Sequence, residues 1–190
     1  MGNPNHPKKG STIRVQPITR IEDIHAIKKH LEADPRNLAL FTLGINTNLR
    51  ASDLIRITAG QVRHLKPMDE LVLKEKKTGK VRRINLNKAC VDAIQGLLAS
   101  RAINDKEPLF YLTVPSINRL VKQWCRECNV QISNAGAHTM RKSFGYHQRV
   151  TFGTDIAVLM SGFNHATQKQ TLTYLCVQPE ELKAMYANQV

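Results

Sequence analysis

Glu70-Leu71-Val72-Leu73-Lys74-Glu75-Lys76 and Lys80-Val81-Arg82-Arg83-Ile84-Asn85-Leu86 are the two stretches of this chain that resemble strands, and Thr78-Gly79 between them is a hairpin-turn candidate. The segments on either side read as helix. Upstream, Thr19-Arg20-Ile21-Glu22 forms a capping-box pattern, so a first helix is expected from Thr19, with Ile21, Ile24, Ile27 and Leu31 as its apolar stripe. Asp34-Pro35 opens a second helix, with Asp as cap and Pro at the first helical position. It runs through Leu38 to Leu43 and stops around Gly44 to Asn48, and a third, shorter helix follows from Ser52 through Ile55. Downstream, Asn87 caps a helix whose apolar face is Cys90, Val91, Ile94, Leu97 and Leu98. Beyond Ser116 the chain reads as helices divided at Asn134-Ala135-Gly136, Phe152-Gly153-Thr154 and Gly162-Phe163-Asn164. The expected fold is α+β: a mainly helical domain carrying one small antiparallel sheet.

The charge balance points to the partner. Lys and Arg number 28 against 15 Asp and Glu, a net charge of +13. Such an excess suits a polyanion, because bound cations displace the counterions condensed on nucleic acid. An anionic membrane surface would satisfy the same arithmetic. No run of apolar residues is long enough to span a bilayer, and the N-terminus lacks the apolar stretch of a secretory signal, so a cytoplasmic protein is expected. Cys90, Cys125, Cys128 and Cys176 do not form a disulfide pattern. Cys125 and Cys128 have metal-site spacing without a second pair, and Cys128 falls in a helical stripe with Ile117, Leu120, Val121 and Trp124. They read as core or near-core thiols, and no metal site or cofactor is expected.

In chain order the polar residues then give Leu49-Arg50-Ala51-Ser52-Asp53-Leu54, Lys77-Thr78-Gly79-Lys80, His138-Thr139-Met140-Arg141, Gly162-Phe163-Asn164-His165 and Thr171-Leu172-Thr173-Tyr174. This set resembles the tyrosine recombinase (phage integrase) family. The family pattern is an Arg before a short Ser-Asp/Glu-Leu helix, a Lys in a β-hairpin turn, a His-x-x-Arg, a His or Trp, and a Tyr nine residues later. The likeness covers the chain from about residue 16, and six elements in order carry far more than a lone His-x-x-Arg. Aligning the second hairpin strand with the family's puts the catalytic Lys at 77.

The residue types also suit the chemistry. Displacement at a phosphodiester needs a nucleophile, positive charge around the non-bridging oxygens and an acid for the departing oxygen. Arg50 and Arg141 would be the planar, permanently charged clamp. Lys77 would protonate the leaving 5′-oxygen. His138 and His165 would donate to the phosphate, and His138 could handle the tyrosine proton. The phenol of Tyr174, with an ordinary pKa of about 10, needs such a pocket to attack at neutral pH. The resemblance implies a 3′-phosphotyrosyl intermediate, formed without metal or ATP.

Lys74, Lys76, Lys80, Arg82 and Lys142 are the candidate DNA contacts. The bland assignments are His147 as structural, Tyr111 as core, Tyr146 as packing and Tyr186 as part of a tail helix. Residues 1–15 read as a flexible basic tail, 16–177 as the catalytic domain, and 178–190 as a C-terminal helix that either docks on a neighbouring subunit or folds back on its own core. Most family members carry a further N-terminal helical domain, so this is either a stand-alone catalytic domain or a fragment. The implied partners are double-stranded DNA, further copies of the chain in a tetrameric synapse, and accessory DNA-bending or directionality proteins. Two rival functions share these features: a type IB topoisomerase-like enzyme, and a DNA-binding regulator that has lost catalysis.

Overall fold

The computed structural model describes residues 15–165 and 167–175, together with 183 and 185–187. Helix α1 (Ile21–His30) leads into α2 (Pro35–Asn46), and two single-turn helices follow, α3 (Ala51–Leu54) and α4 (Ala59–Val62). Strands β1 (Glu70–Lys74) and β2 (Val81–Asn85) make the antiparallel hairpin, and α5 (Lys88–Ser100), α6 (Val114–Glu127), α7 (Ala137–Val150), α8 (Ile156–Phe163) and α9 (Gln168–Leu175) complete the described elements. The expected class, helices with one small two-stranded sheet, is what the chain forms. Among the described residues no helix is long and apolar enough to cross a membrane.

Helix α2 is the centre. Ala39, Leu40, Phe41 and Leu43 are each fully buried, so this helix has no solvated stripe and is enclosed by its neighbours α5 and α7. Its start follows the sequence signal: the Asp34 carboxylate accepts from Asn37 N at 3.0 Å, with Pro35 at the position where its missing N–H costs nothing. Asn87 caps α5 in the same way, accepting from Cys90 N at 3.0 Å. Phe41 meets Trp124 of α6 edge-on, with ring centres 5.9 Å apart. A second, smaller cluster of Leu159, Phe163 and Leu175 lies apart from this core and joins α8 to α9.

Several local expectations are corrected. Helix α1 starts at Ile21 and not Thr19, and its cap residue, Arg20, makes no side-chain cap bond. Residues 16–18 are instead pulled straight by other partners: Ile18 N donates to Ser143 Oγ at 2.8 Å, and the Ile18 carbonyl lies 3.0 Å from His147 Nε2. That gives the buried His147 its structural role. Helix α4 was not expected; Gln61 caps it by accepting from Thr58 N at 2.9 Å. Tyr111 is not core: Leu109 and Phe110 are buried, but Tyr111 is 58% exposed. On α6 the inward thiol is Cys125, pushed up to about 11 mainly by burial, while Cys128 is half-buried at the helix end.

Gly145 sets how closely α7 and α9 approach. A Cβ there would sit 2.7 Å from Phe163 Cζ and 2.9 Å from Leu175 Cδ2, both inside the smaller cluster. Gly145→Ala is therefore expected to destabilise by about 1–3 kcal/mol through overpacking, read as a lower urea midpoint at unchanged m-value. An unshifted midpoint would show that the α7–α9 contact is not closed in solution.

Candidate active site

The residues singled out from sequence arrive by short local devices. Arg50 caps α3 from a loop held by buried neighbours: Leu49 is 1% exposed, and Asn48 takes the left-handed conformation, φ 56°. Lys77 lies in the hairpin loop, closed by Glu75 N donating to the Lys80 carbonyl at 2.9 Å and by Gly79 at φ +69°, where glycine is favoured. Asp53 of α3 is buried and steadies the loop by accepting from Lys76 N at 2.8 Å. His138 and Arg141 are one turn apart at the start of α7, whose first amide, Ala137 N, donates to Asn118 Oδ1 of α6 at 3.1 Å.

His165 follows the end of α8. Asn164 is left-handed (φ 55°), its amide donates to the Ser161 carbonyl, and His165 N donates to the Met160 carbonyl at 3.1 Å, so the chain turns back sharply after the helix. Three side chains grip the last carbonyls of α8. Asn48 Nδ2 donates to Gly162 O at 2.9 Å, Arg82 Nη2 donates to the same oxygen, and Arg141 Nη2 donates to Phe163 O at 3.2 Å. Two of these three are cations at the negative end of the helix dipole. Tyr174 is carried on α9, whose neighbouring Leu175 and Thr171 are both fully buried. Thr171 Oγ1 lies 3.1 Å from His165 Nδ1.

Four of the six candidates, His138, Arg141, His165 and Tyr174, meet directly, while Arg50 and Lys77 reach His138 through their charge. Tyr174 Oη lies 3.4 Å from His138 Nδ1. The Tyr174 ring packs on Phe163 (5.1 Å between centres) and meets His165 nearly edge-on (5.6 Å). The guanidinium carbon of Arg141 lies 5.4 Å from the centre of that ring, and Lys142 Nζ lies 5.7 Å from it. Arg141 is 2% exposed, and its Nε and Nη1 have no hydrogen-bond partner among the described residues, so two buried donors await an acceptor. Burial pulls this guanidinium down to about 10, which still leaves it charged at neutral pH.

The field of the pocket shows in its imidazoles. Burial first, and then the charges of Arg141, Lys142, Arg50 and Lys77, hold His138 below its ordinary range. Burial, Arg141, Arg50 and Arg82 push His165 down to about 4. Both rings are therefore neutral at pH 7, and each keeps one N–H to donate. The sign for stability follows. The folded state resists protonating His165 while the unfolded chain accepts a proton near 6.5, so stability is unaffected above that pH and falls between about 6.5 and 4. The melting temperature of His165→Gln is expected to decline less than that of the wild type across this window. Parallel declines would mean that His165 is not held neutral.

The candidate DNA contacts divide. Lys74, Lys76 and Lys80 are exposed on the hairpin and its loop, and Lys142 is half-buried beside Tyr174. Arg82 differs from the expectation: it is 6% exposed, and its guanidinium is turned inward to Glu75 and the Gly162 carbonyl. Strand alternation is the physical reason, since Leu73 and Arg82 are register partners on the buried face of the hairpin. The sequence reading also missed Glu75. It is 1% exposed, with Oε2 3.0 Å from Arg50 Nη1 and accepting from Thr78 Oγ1 at 2.7 Å, and Oε1 accepting from Arg82 Nη1 at 3.2 Å. Burial works to raise this carboxyl, but Thr78, Arg50 and Arg82 together hold it below the ordinary carboxylate range.

The pocket thus combines buried and half-buried cations, two neutral imidazoles and a phenol. Such a set can hold an anionic tetrahedral group against a hydroxyl nucleophile. Comparison with known proteins gives the same direction. The model of the phage integrase family matches residues 18–181. The chain is 29% identical over 183 residues to the probable integrase/recombinase YoeC of Bacillus subtilis (strain 168), covering 90% of this chain and 95% of that protein. It is 28% identical over 157 residues to tyrosine recombinase XerC of Caldanaerobacter subterraneus subsp. tengcongensis, covering 78% of this chain but 43% of that longer protein. Among solved structures, the XerH site-specific recombinase bound to its palindromic difH substrate, a post-cleavage complex, superposes with a TM-score of 0.73 at 17% identity, over 96% of this chain and 56% of that one.

Proposed function

This chain belongs to the phage integrase family, and from that premise we propose that it is a site-specific DNA recombinase that cleaves and rejoins strands through a covalent 3′-phosphotyrosine on Tyr174. The observation that carries the proposal is the meeting of Tyr174 Oη with His138 Nδ1, 3.4 Å apart, beside the buried, half-satisfied guanidinium of Arg141.

In this mechanism Arg50 and Arg141 hold the non-bridging oxygens of the scissile phosphate and compensate the charge that develops as the phenol oxygen attacks. The phenol–imidazole contact is long, as such contacts often are before substrate closes the site. His138 takes the phenolic proton, which its depressed basicity permits only while the phosphate anion is bound and offsets the surrounding cations. His165 donates a hydrogen bond to the phosphate, and Thr171 fixes the orientation of its ring. Lys77, exposed on the hairpin loop, delivers a proton to the departing 5′-oxygen. The bond broken is P–O5′ and the bond formed is P–Oη, so the energy is retained for rejoining, and this balance calls for neither metal nor ATP.

The same reading makes residues 16–177 the catalytic unit and double-stranded DNA the partner, with Lys74, Lys76, Lys80 and Lys142 as phosphate contacts and the cytoplasm as the setting. A tetrameric synapse, possible helper proteins and any docking role of residues 178–190 go with it. Of the last segment, residues 178–182, 184 and 188–190 lie outside the described residues.

The test is trapping without metal or ATP on nicked duplexes tiled across the native locus, with the mixture run on a denaturing gel. A slower, protease-sensitive DNA band is expected. Strand exchange between two marked duplexes then separates a recombinase from a topoisomerase, which would relax supercoils without exchanging partners. Binding with no covalent band under any substrate would leave a DNA-binding regulator as the better account.

A further inference from the structure

Glu75 belongs to none of the roles above, yet it is the best-connected buried charge in the molecule's described part. Both of its oxygens are engaged: Oε2 accepts from Thr78 and forms an ion pair with Arg50, and Oε1 accepts from Arg82. At 1% exposure it does not face a substrate, and it acts through these neighbours. Each neighbour leads to a different part of the site. Thr78 adjoins Lys77 in the hairpin loop. Arg50 is one arm of the phosphate clamp. Arg82 uses its other nitrogen on the Gly162 carbonyl, three residues before His165, and Asn48 donates to the same oxygen.

We propose that Glu75 is a positioning residue: its carboxylate orients Arg50 and, through Arg82, fastens the Lys77 hairpin to the end of α8 from which His165 emerges. This rests on the reading of Arg50, Lys77 and His165 as phosphate-facing groups. The chemistry of the cluster fits the task. An isolated buried carboxylate is very costly, whereas one flanked by two guanidiniums is tolerated and fixes their directions. The cluster keeps one positive charge in excess, so it orients the clamp without neutralising it. Arg82 must be arginine for this purpose, because it spans two acceptors at once with Nη1 and Nη2, which a lysine ammonium on a flexible stem cannot do in the same geometry. Its burial and its slot opposite Leu73 keep it out of reach of a groove-bound phosphate.

Hydrogen exchange on the free 190-residue chain tests the linkage without any need for DNA. Glu75→Gln keeps the shape and removes the charge. Amides of residues 75–80 and of residues 160–165 are expected to exchange at least about tenfold faster together, while α2 and α5 stay protected. Acceleration of the hairpin alone, or of neither segment, overturns the proposal. Should Glu75→Gln fail to fold, Arg82→Lys decides: residues 160–165 are expected to accelerate, and unchanged exchange there overturns it equally.

On DNA that the wild type captures, Glu75→Gln is expected to lose at least about tenfold in the rate of covalent capture at unchanged duplex affinity. Glu75→Asp should recover part of that loss. A methylphosphonate at the scissile position, which removes the charge Arg50 would meet, should shrink the deficit, and a merely structural role would not respond to that change. If the wild type captures no DNA, the proposed function fails while the exchange result still decides the linkage.

Discussion

Tyr174→Phe is expected to abolish covalent capture of DNA while leaving duplex binding within about twofold of the wild type. The argument is geometric. The substitution removes only Oη, the atom 3.4 Å from His138 Nδ1. The ring keeps its packing on Phe163 and its place beside the Arg141 guanidinium, so neither the smaller cluster nor the cation clamp is disturbed. Among the other described tyrosines, Tyr111 and Tyr186 are exposed, and Tyr146 packs edge-on against His147. Denaturing gels read the covalent band and native gels the binding. A protease-sensitive band from the Phe variant would move the nucleophile elsewhere.

Arg141→Ala carries the second large effect. This guanidinium supplies two buried nitrogens without a hydrogen-bond partner among the described residues, holds the Phe163 carbonyl, and lies beside the rings of Phe163 and Tyr174. Losing one preorganised donor to a developing charge costs about 10²–10³ in rate, and here more than one is lost together with a full positive charge, so a fall of at least about 10³ in cleavage rate is expected. Arg141→Lys should recover little of it, because an ammonium cannot donate to Phe163 O and to two phosphate oxygens from one planar fork. Single-turnover cleavage against equilibrium binding separates this from a folding defect. A Lys variant within a few fold of the wild type would reduce Arg141 to a point charge.

Which features could be read from the chain depended on the range over which each is determined. Asp34-Pro35 and Asn87 were legible as helix starts because a cap is settled within four residues. Thr19 was misleading for the converse reason: its pattern is as good, but His147 and Ser143, far along the chain, compete for residue 18 and win. The six candidate residues stand in the sequence as an ordered set, though nothing in the sequence gives their separations. Glu75 and Arg82 could have been found. Alternation puts Leu71, Leu73 and Glu75 on one face of the hairpin, and Arg82, Ile84 and Leu86 on the same face, so a carboxylate and a guanidinium were both due inside. The surrounding lysines drew the whole segment to the surface in a reading by composition. Tyr111 failed through its neighbours: two buried residues, Leu109 and Phe110, say nothing about the third where no regular period governs the loop.

The division of the interior into one large core and the small Leu159, Phe163 and Leu175 cluster bears on how often the catalyst is assembled. Local opening of a segment costs roughly the burial it gives up, and the described burial of α9 lies in the smaller cluster, so α9 is expected to open at a lower free energy than the large core. The proposed clamp and the proposed nucleophile therefore belong to regions of unequal permanence. Arg50 and the start of α7 are anchored to the large core and persist, whereas the phenol's presence is an equilibrium that a few contacts can shift. Under the proposed mechanism global stability is then a poor guide to activity, because a melt reports the large core and the rate follows the fraction of time that α9 is seated.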